Sequence, residues 1–163
     1  MNSLPKRPIR YLITRGDLND SNFSINRLRA LAAVRAAVEH GIEMVQIREK
    51  SLGGGDLFQL TCHAVKLAAM SETRILVNER FDVAIAAGAH GVQLTSKSIP
   101  ADIVRRAVPG GFLIGVSTHS ERKVLNAKAA GADFALFGNV FPTPGKGEPA
   151  EILSRPERKS SSL

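Results

Sequence analysis

In EMVQIREKS, residues 43–51, the side chains that could act together are Gln46, Arg48 and Lys50. Alternate residues of a β-strand share a face, so these three lie on one side with Met44, while Val45 and Ile47 lie on the other. Two cations on a core strand are costly unless that face opens onto solvent or an anion. Other polar groups end other apolar runs. Asn78 and Glu79 close and follow RILVN, and Ser117 and His119 close and follow FLIGVS. An imidazole can give and take a proton near neutral pH. Thr143 and Lys146 sit in FPTPGKG, where proline and glycine shape a loop from which a hydroxyl and an ammonium can reach inward. The plainer alternatives are solvated rim charges for Arg48 and Lys50, a loop or cap role for His119, and an ordinary connection around Thr143.

The elements that must position these groups are legible from periodicity. RYLIT (10–14) predicts strand one, and Leu28, Leu31, Ala32, Val34 and Val38 predict a helix from Asn26 to His40, ended by Gly41. MVQIRE is strand two, GGG at 53–55 a loop, and Asp56 the cap of a helix reaching Met70. RILVN (74–78) is strand three, VAIAAG (83–88) a short helix, and GVQL (91–94) strand four. Pro100 opens a helix, FLIGVS (112–117) is strand five, Ser120 caps the next helix, Gly131 closes it, and DFALFGNV (133–140) is strand six. Six successive βα units imply a parallel sheet with helices outside it. No G-x-G-x-x-G follows strand one, which disfavours a dinucleotide site, and the polar residues gather at strand C-terminal ends, which in a barrel form one rim. The unit spacing suits either a doubly wound sheet or a (β/α)8 barrel; residues 1–9 read as a basic leader, 10–147 as the βα domain, a partial TIM barrel on the second reading, and 148–163 as a disordered or non-family tail.

The bulk properties narrow the class. The 163 residues suffice for one sizeable core. A single cysteine, Cys62, allows no internal disulfide and reads as a small buried hydrophobe, in keeping with a reducing cytoplasm. No stretch approaches the roughly 20 apolar residues of a membrane span. The net charge of +7 is dispersed rather than clustered among aromatics, which favours small anionic ligands over nucleic acid. His40, His63 and His90 show no ligand spacing and read as surface residues.

Taken in order, VQIREKS, ILVNERFDVAIAAGAHGVQL, IGVSTHS and GADFALFGNVFPTPGKG resemble the thiamine phosphate synthase family and its TenI-type relatives, the thiazole tautomerases. The likeness runs from about Tyr11 to Gly147 and implies a (β/α)8 barrel. It implies that Gln46, Arg48 and Lys50 bind a pyrimidine diphosphate, that Asn78 belongs to the same site, that Ser117 contacts diphosphate, and that Thr143 and Lys146 reach both phosphate-bearing substrates. The synthases hold Mg²⁺ through an aspartate after the strand-three asparagine and another after strand four. Here Glu79 and Ser98 stand at those places, Gln93 replaces the usual histidine, and Lys97 adds a repelling charge. Serine is a poor Mg²⁺ ligand, which leaves Glu79 as the sole metal candidate. The tautomerases need no metal and shift a proton with a histidine after strand five, here His119, although STHS also occurs in synthases. Mg²⁺ is thus expected for a synthase and no cofactor for a tautomerase.

Strands seven and eight find no counterpart, so the expectation is an incomplete barrel of about six βα units from a truncated or frameshifted gene. The open edges of strands one and six would then favour self-association. The readings are a thiamine-biosynthesis enzyme, either transferase or isomerase, acting on small phosphorylated heterocycles, or a noncatalytic remnant. Neither a nucleic-acid partner nor a membrane is expected, and the cytoplasm is the expected location.

Overall fold

The computed structural model describes residues 8–142. Strands and helices alternate throughout: β1 (Tyr11–Ile13), α1 (Phe23–Glu39), β2 (Met44–Ile47), α2 (Gly54–Ala68), β3 (Arg74–Asn78), α3 (Phe81–Ala86), β4 (Gly91–Leu94), α4 (Ala101–Ala107), β5 (Leu113–Thr118), α5 (Glu121–Ala129) and β6 (Phe134–Phe137). The six strands pair in sequence order, all parallel. This is the βα succession the periodicity predicts.

Side-chain contacts show that the sheet is strongly curled. Strands lie about 4.8 Å apart, so β1 and β4 would be about 14 Å apart in a flat sheet, and β1 and β6 about 24 Å. Yet the Tyr11 hydroxyl of β1 is 3.4 Å from Gln93 Oε1 of β4, and the rings of Tyr11 and Phe134 of β6 meet edge to face at 6.1 Å. The inner face therefore closes on itself as an incomplete TIM barrel.

The outer face carries the main core. Val45, Ile47, Ile75, Val77, Val92 and Ile114 are fully covered by helix residues that include Val34, Leu60, Ala64 and Val104. Each such aliphatic side chain contributes about 1.5–3 kcal/mol by leaving water. The inner face divides along its length. Met44, Leu76 and Leu113, with Ile9, Tyr11 and Phe134, fill the end near the strand N-termini, and polar residues follow one step later. Below that plug, Arg10 clasps Glu43 through two contacts of 3.0 Å and one of 3.2 Å, holding the Glu43 carboxyl down to about 2.

Several boundaries differ from expectation for local reasons. β2 ends at Ile47 rather than Glu49 because the Arg48 N–H leaves the ladder to donate to Thr14 Oγ1 at 2.9 Å. α2 begins earlier than Asp56: extended Gly53 is the cap, its N–H held by Asp20 Oδ1 at 2.8 Å, and Asp56 lies in the first turn, where its charge complements the helix dipole. In α1 the buried residues are Phe23, Val34 and Ala37, whereas Leu28 is 68 % exposed, so the covered stripe is rotated from the predicted one. Gly41 does end α1, at φ +63°, where a side chain would be strained. The Ser120 hydroxyl caps α5 by accepting the Lys123 N–H at 3.4 Å. Cys62 is half-buried rather than enclosed. Among the described residues no helix is long and apolar enough to cross a membrane.

Candidate active site

The alternation that puts Met44 in the plug puts Gln46 one step nearer the mouth, and the same step carries Leu76 to Asn78 and Gly91 to Gln93. Gln46, Asn78 and Gln93 are 2 %, 8 % and 1 % exposed, so three buried amides form the floor of the mouth. Room for Gln93 comes from Gly115 of β5, where a Cβ would lie 2.3 Å from Gln93 Oε1 and equally near the Phe134 ring. Above this floor a cavity of about 570 Å³ opens at the strand C-terminal ends. Its lining includes Gln46, Arg48, Lys50, Asn78, Ser117 and His119, residues on or just after β2, β3 and β5. Among the described residues no carboxylate lines it. Thr143 and Lys146 lie outside the described residues.

Gln46, Asn78, Gln93, Ser117 and His119 each have a definite hydrogen-bond setting. Gln46 Nε2 donates to Asn78 Oδ1 at 2.9 Å, and Asn78 Nδ2 donates to Glu79 Oε2 at 3.2 Å. Gln93 Nε2 donates to Ser117 Oγ at 3.1 Å, which leaves the serine hydrogen for a partner in the cavity. The Tyr11 hydroxyl lies 3.2 Å from Gln46 Oε1 as well as 3.4 Å from Gln93 Oε1. Burial raises the Tyr11 pKa and keeps the phenol protonated. His119 Nδ1 meets the Gly138 carbonyl oxygen. A carbonyl only accepts, so Nδ1 carries the hydrogen, and Nε2 is the ring nitrogen left to exchange a proton with a ligand. Arg48 is fixed at its backbone by Thr14, and Lys50 stands exposed at the rim.

The next residue, Glu49, is only 4 % exposed, and its carboxylate accepts the N–H groups of Gly16 at 3.2 Å and Leu18 at 3.0 Å. It pins the loop after β1 against β2. Sequence reasoning missed Glu49 and Tyr11, and it noted Gln93 only as a departure. A signal existed for two of them: Tyr11 is the sole tyrosine, on a strand, and Gln93 interrupts an apolar run with the same alternation as Gln46. His90, expected at the surface, is instead half-buried beside β3, where its Nδ1 accepts the Ile75 N–H at 3.0 Å; burial and the nearby Arg74 charge lower its pKa.

Glu79 stands apart from the cavity lining, in an adjacent cleft with Lys50 and Arg80. Its backbone takes φ +60°, uncommon for a glutamate, which turns the carboxylate back toward the loop after β4. There Oε1 accepts the hydroxyls of Thr95 at 2.7 Å and Ser98 at 3.0 Å. The Thr95 contact is the main cause of a lowered Glu79 pKa, helped by Ser98, Asn78 and the Lys50 charge against the opposing effect of burial. A divalent cation wants several hard oxygens, usually carboxylates. The donor set does not fit one: a single carboxylate already accepts three hydrogen bonds, and Ser98, at the second ligand position, donates to it. Among the described residues no three or more His, Cys, Asp or Glu side chains converge on a point.

Comparison with known proteins agrees with this geometry. Residues 11–156 match the family described as "Thiamine monophosphate synthase". The chain is 43 % identical over 125 residues to a relative from Geobacter sulfurreducens, covering 75 % of this chain and 59 % of that protein. It is 33 % identical over 145 residues to the thiamine-phosphate synthase of Chlorobium phaeovibrioides, covering 89 % of this chain and 65 % of the relative. Among solved structures it is similar to the thiamine phosphate pyrophosphorylase from Pyrococcus furiosus, with a TM-score of 0.69, 29 % identity, and coverage of 83 % of this chain and 62 % of that one. The chain thus spans roughly three fifths of the length of these relatives. The family match, the curled parallel sheet and the polar mouth together establish that the chain belongs to the thiamine monophosphate synthase family.

Proposed function

We propose that the chain serves thiamine biosynthesis by holding small phosphorylated heterocycles at the barrel mouth: a phosphorylated thiazole, and in the synthase reaction the pyrimidine diphosphate as well. The observation that carries this reading is the charge of the cavity, which has Arg48 and Lys50 on one wall, Ser117 on another, and no carboxylate among the described residues of its lining. A guanidinium and an ammonium neutralise phosphate oxygens, and the Ser117 hydrogen adds a neutral donor. Gln46 and Asn78 then meet the ring.

The chemistry favoured by the donor set is a metal-free proton shift on the phosphorylated thiazole. His119 Nε2 would take the proton and return it at another ring position, while Arg48, Lys50 and Ser117 hold the phosphate. The misfit of Glu79 and Ser98 to a divalent cation supports this choice. A second reading, condensation of the pyrimidine diphosphate with the thiazole phosphate, is favoured by the Gln46, Arg48, Lys50 alternation and by the names of the relatives. One paired assay separates them. Metal-independent turnover of the thiazole that is lost in His119→Ala supports the tautomerase; condensation dependent on added Mg²⁺ supports the synthase. Absence of both reactions from folded protein would leave a ligand-binding remnant and overturn the enzymatic reading.

A further inference from the structure

Glu79 does more than fail as a metal ligand. An ionised carboxylate only accepts hydrogen bonds, so whatever faces it must donate. Asn78 therefore presents Nδ2 to Glu79 and is left with Oδ1 toward Gln46. Gln46 must then present Nε2 to Asn78, which leaves its Oε1 toward Tyr11, and the phenol must donate. At each step the charge at one end dictates which way round the next amide sits. Gln46 and Asn78 are only 2 % and 8 % exposed, and these side-chain contacts are the ones that order their amides. The other carboxylate oxygen is closed by Thr95 and Ser98, whose hydroxyls fold the loop after β4 around it.

We propose that Glu79 is a positioning residue: it anchors a one-way hydrogen-bond relay from Tyr11 through Gln46 and Asn78 that fixes which donor and acceptor edges the barrel floor presents to a bound heterocycle. Arg48 and Lys50 recognise the phosphate, and the relay recognises the ring. Beside the relay, Gln93 Nε2 donates to Ser117 Oγ and so leaves the serine hydrogen for the ligand. The orientation of the relay stands on the geometry alone; its use in recognition rests on the cavity reading above.

The test uses the full chain with ¹⁵N-labelled asparagine and glutamine side chains. In Glu79→Gln the new amide can donate as well as accept, so the side-chain amide signals of both Asn78 and Gln46 are expected to move, although Gln46 does not touch residue 79. Millimolar MgCl₂ is expected to leave the native signals in place. Movement confined to Asn78, or a saturable Mg²⁺ shift at Asn78 and Gln46, would overturn the proposal. Tyr11→Phe perturbs the relay from its far end, so a Glu79→Gln chain that fails to fold does not end the test: unchanged Gln46 and Asn78 signals in Tyr11→Phe reject the relay. In Tyr11→Phe the affinity for inorganic pyrophosphate should hold within about twofold, and that for the pyrimidine diphosphate should fall about tenfold. Equal losses for both ligands would remove the ring-reading role. If the native chain binds neither ligand, the cavity reading fails, and the amide signals still judge the relay.

Discussion

Two halves of one inner surface differ by a single step along each strand. Near the strand N-termini, Met44, Leu76 and Leu113 fill the curled sheet with apolar atoms; two residues later on β2 and β3, Gln46 and Asn78 line an open cavity. The backbone geometry is the same, and every side chain faces inward by the same alternation. What changes is the partner: the lower half packs against itself, and the upper half makes directed hydrogen bonds that leave some groups for a ligand. Stability and recognition are thus separable along the strand axis, and substitutions should sort accordingly.

The largest expected effect is on the plug. Leu76 is fully buried there, and Leu76→Ala should cost about 2–5 kcal/mol in denaturant unfolding. Retention of pyrophosphate binding by the folded fraction would sharpen the contrast between the halves. Arg48→Ala should do the reverse, weakening pyrophosphate binding by about 1.5–3 kcal/mol in calorimetric titration with little change in melting temperature. A loss of stability without a loss of binding would break the comparison. Gly115→Ala strikes where the halves meet, since its Cβ would collide with both Gln93 and Phe134. It should cost about 1–3 kcal/mol and also displace the Gln93 amide signal.

The smallest effect is the pH dependence. His90 has a folded pKa below its ordinary 6.5, so on acidification the unfolded chain takes up a proton that the folded chain resists. Stability should be complete above about pH 6.5 and begin to fall as pH drops below it, and His90→Gln should flatten that slope. Glu43 and Glu79 are also depressed, from an ordinary 4.5, so their contribution is present above that value and lost in a second, more acidic window. Both windows can be read from unfolding curves that run from pH 7 down to about pH 2.

Much of the fold was legible because its signals are local. Apolar runs such as RILVN and GVQL match β3 and β4 as observed, and glycine marks the end of α1. The convergence of Gln46, Arg48, Asn78, Ser117 and His119 followed from strand parity and from the rule that barrel sites sit at strand C-terminal ends. Curvature left no local mark. That Tyr11 would meet Gln93 and Phe134 depends on the sheet closing across several strands, which no window of residues reports. The partners of Glu79 were hidden for a related reason: Thr95 and Ser98 are brought to it by the turn at φ +60° and by the neighbouring strand. The buried Glu49 was hidden between two cations that read as a charged rim.

The most direct measurement is a titration of the labelled chain with the thiazole phosphate and with the pyrimidine diphosphate, followed by NMR. Saturable shifts at Gln46, Asn78, Ser117 and His119, with Met44, Leu76 and Leu113 unmoved, are the predicted result. Saturation centred on any other surface, or no saturation by either ligand, would contradict a mouth built for phosphorylated heterocycles.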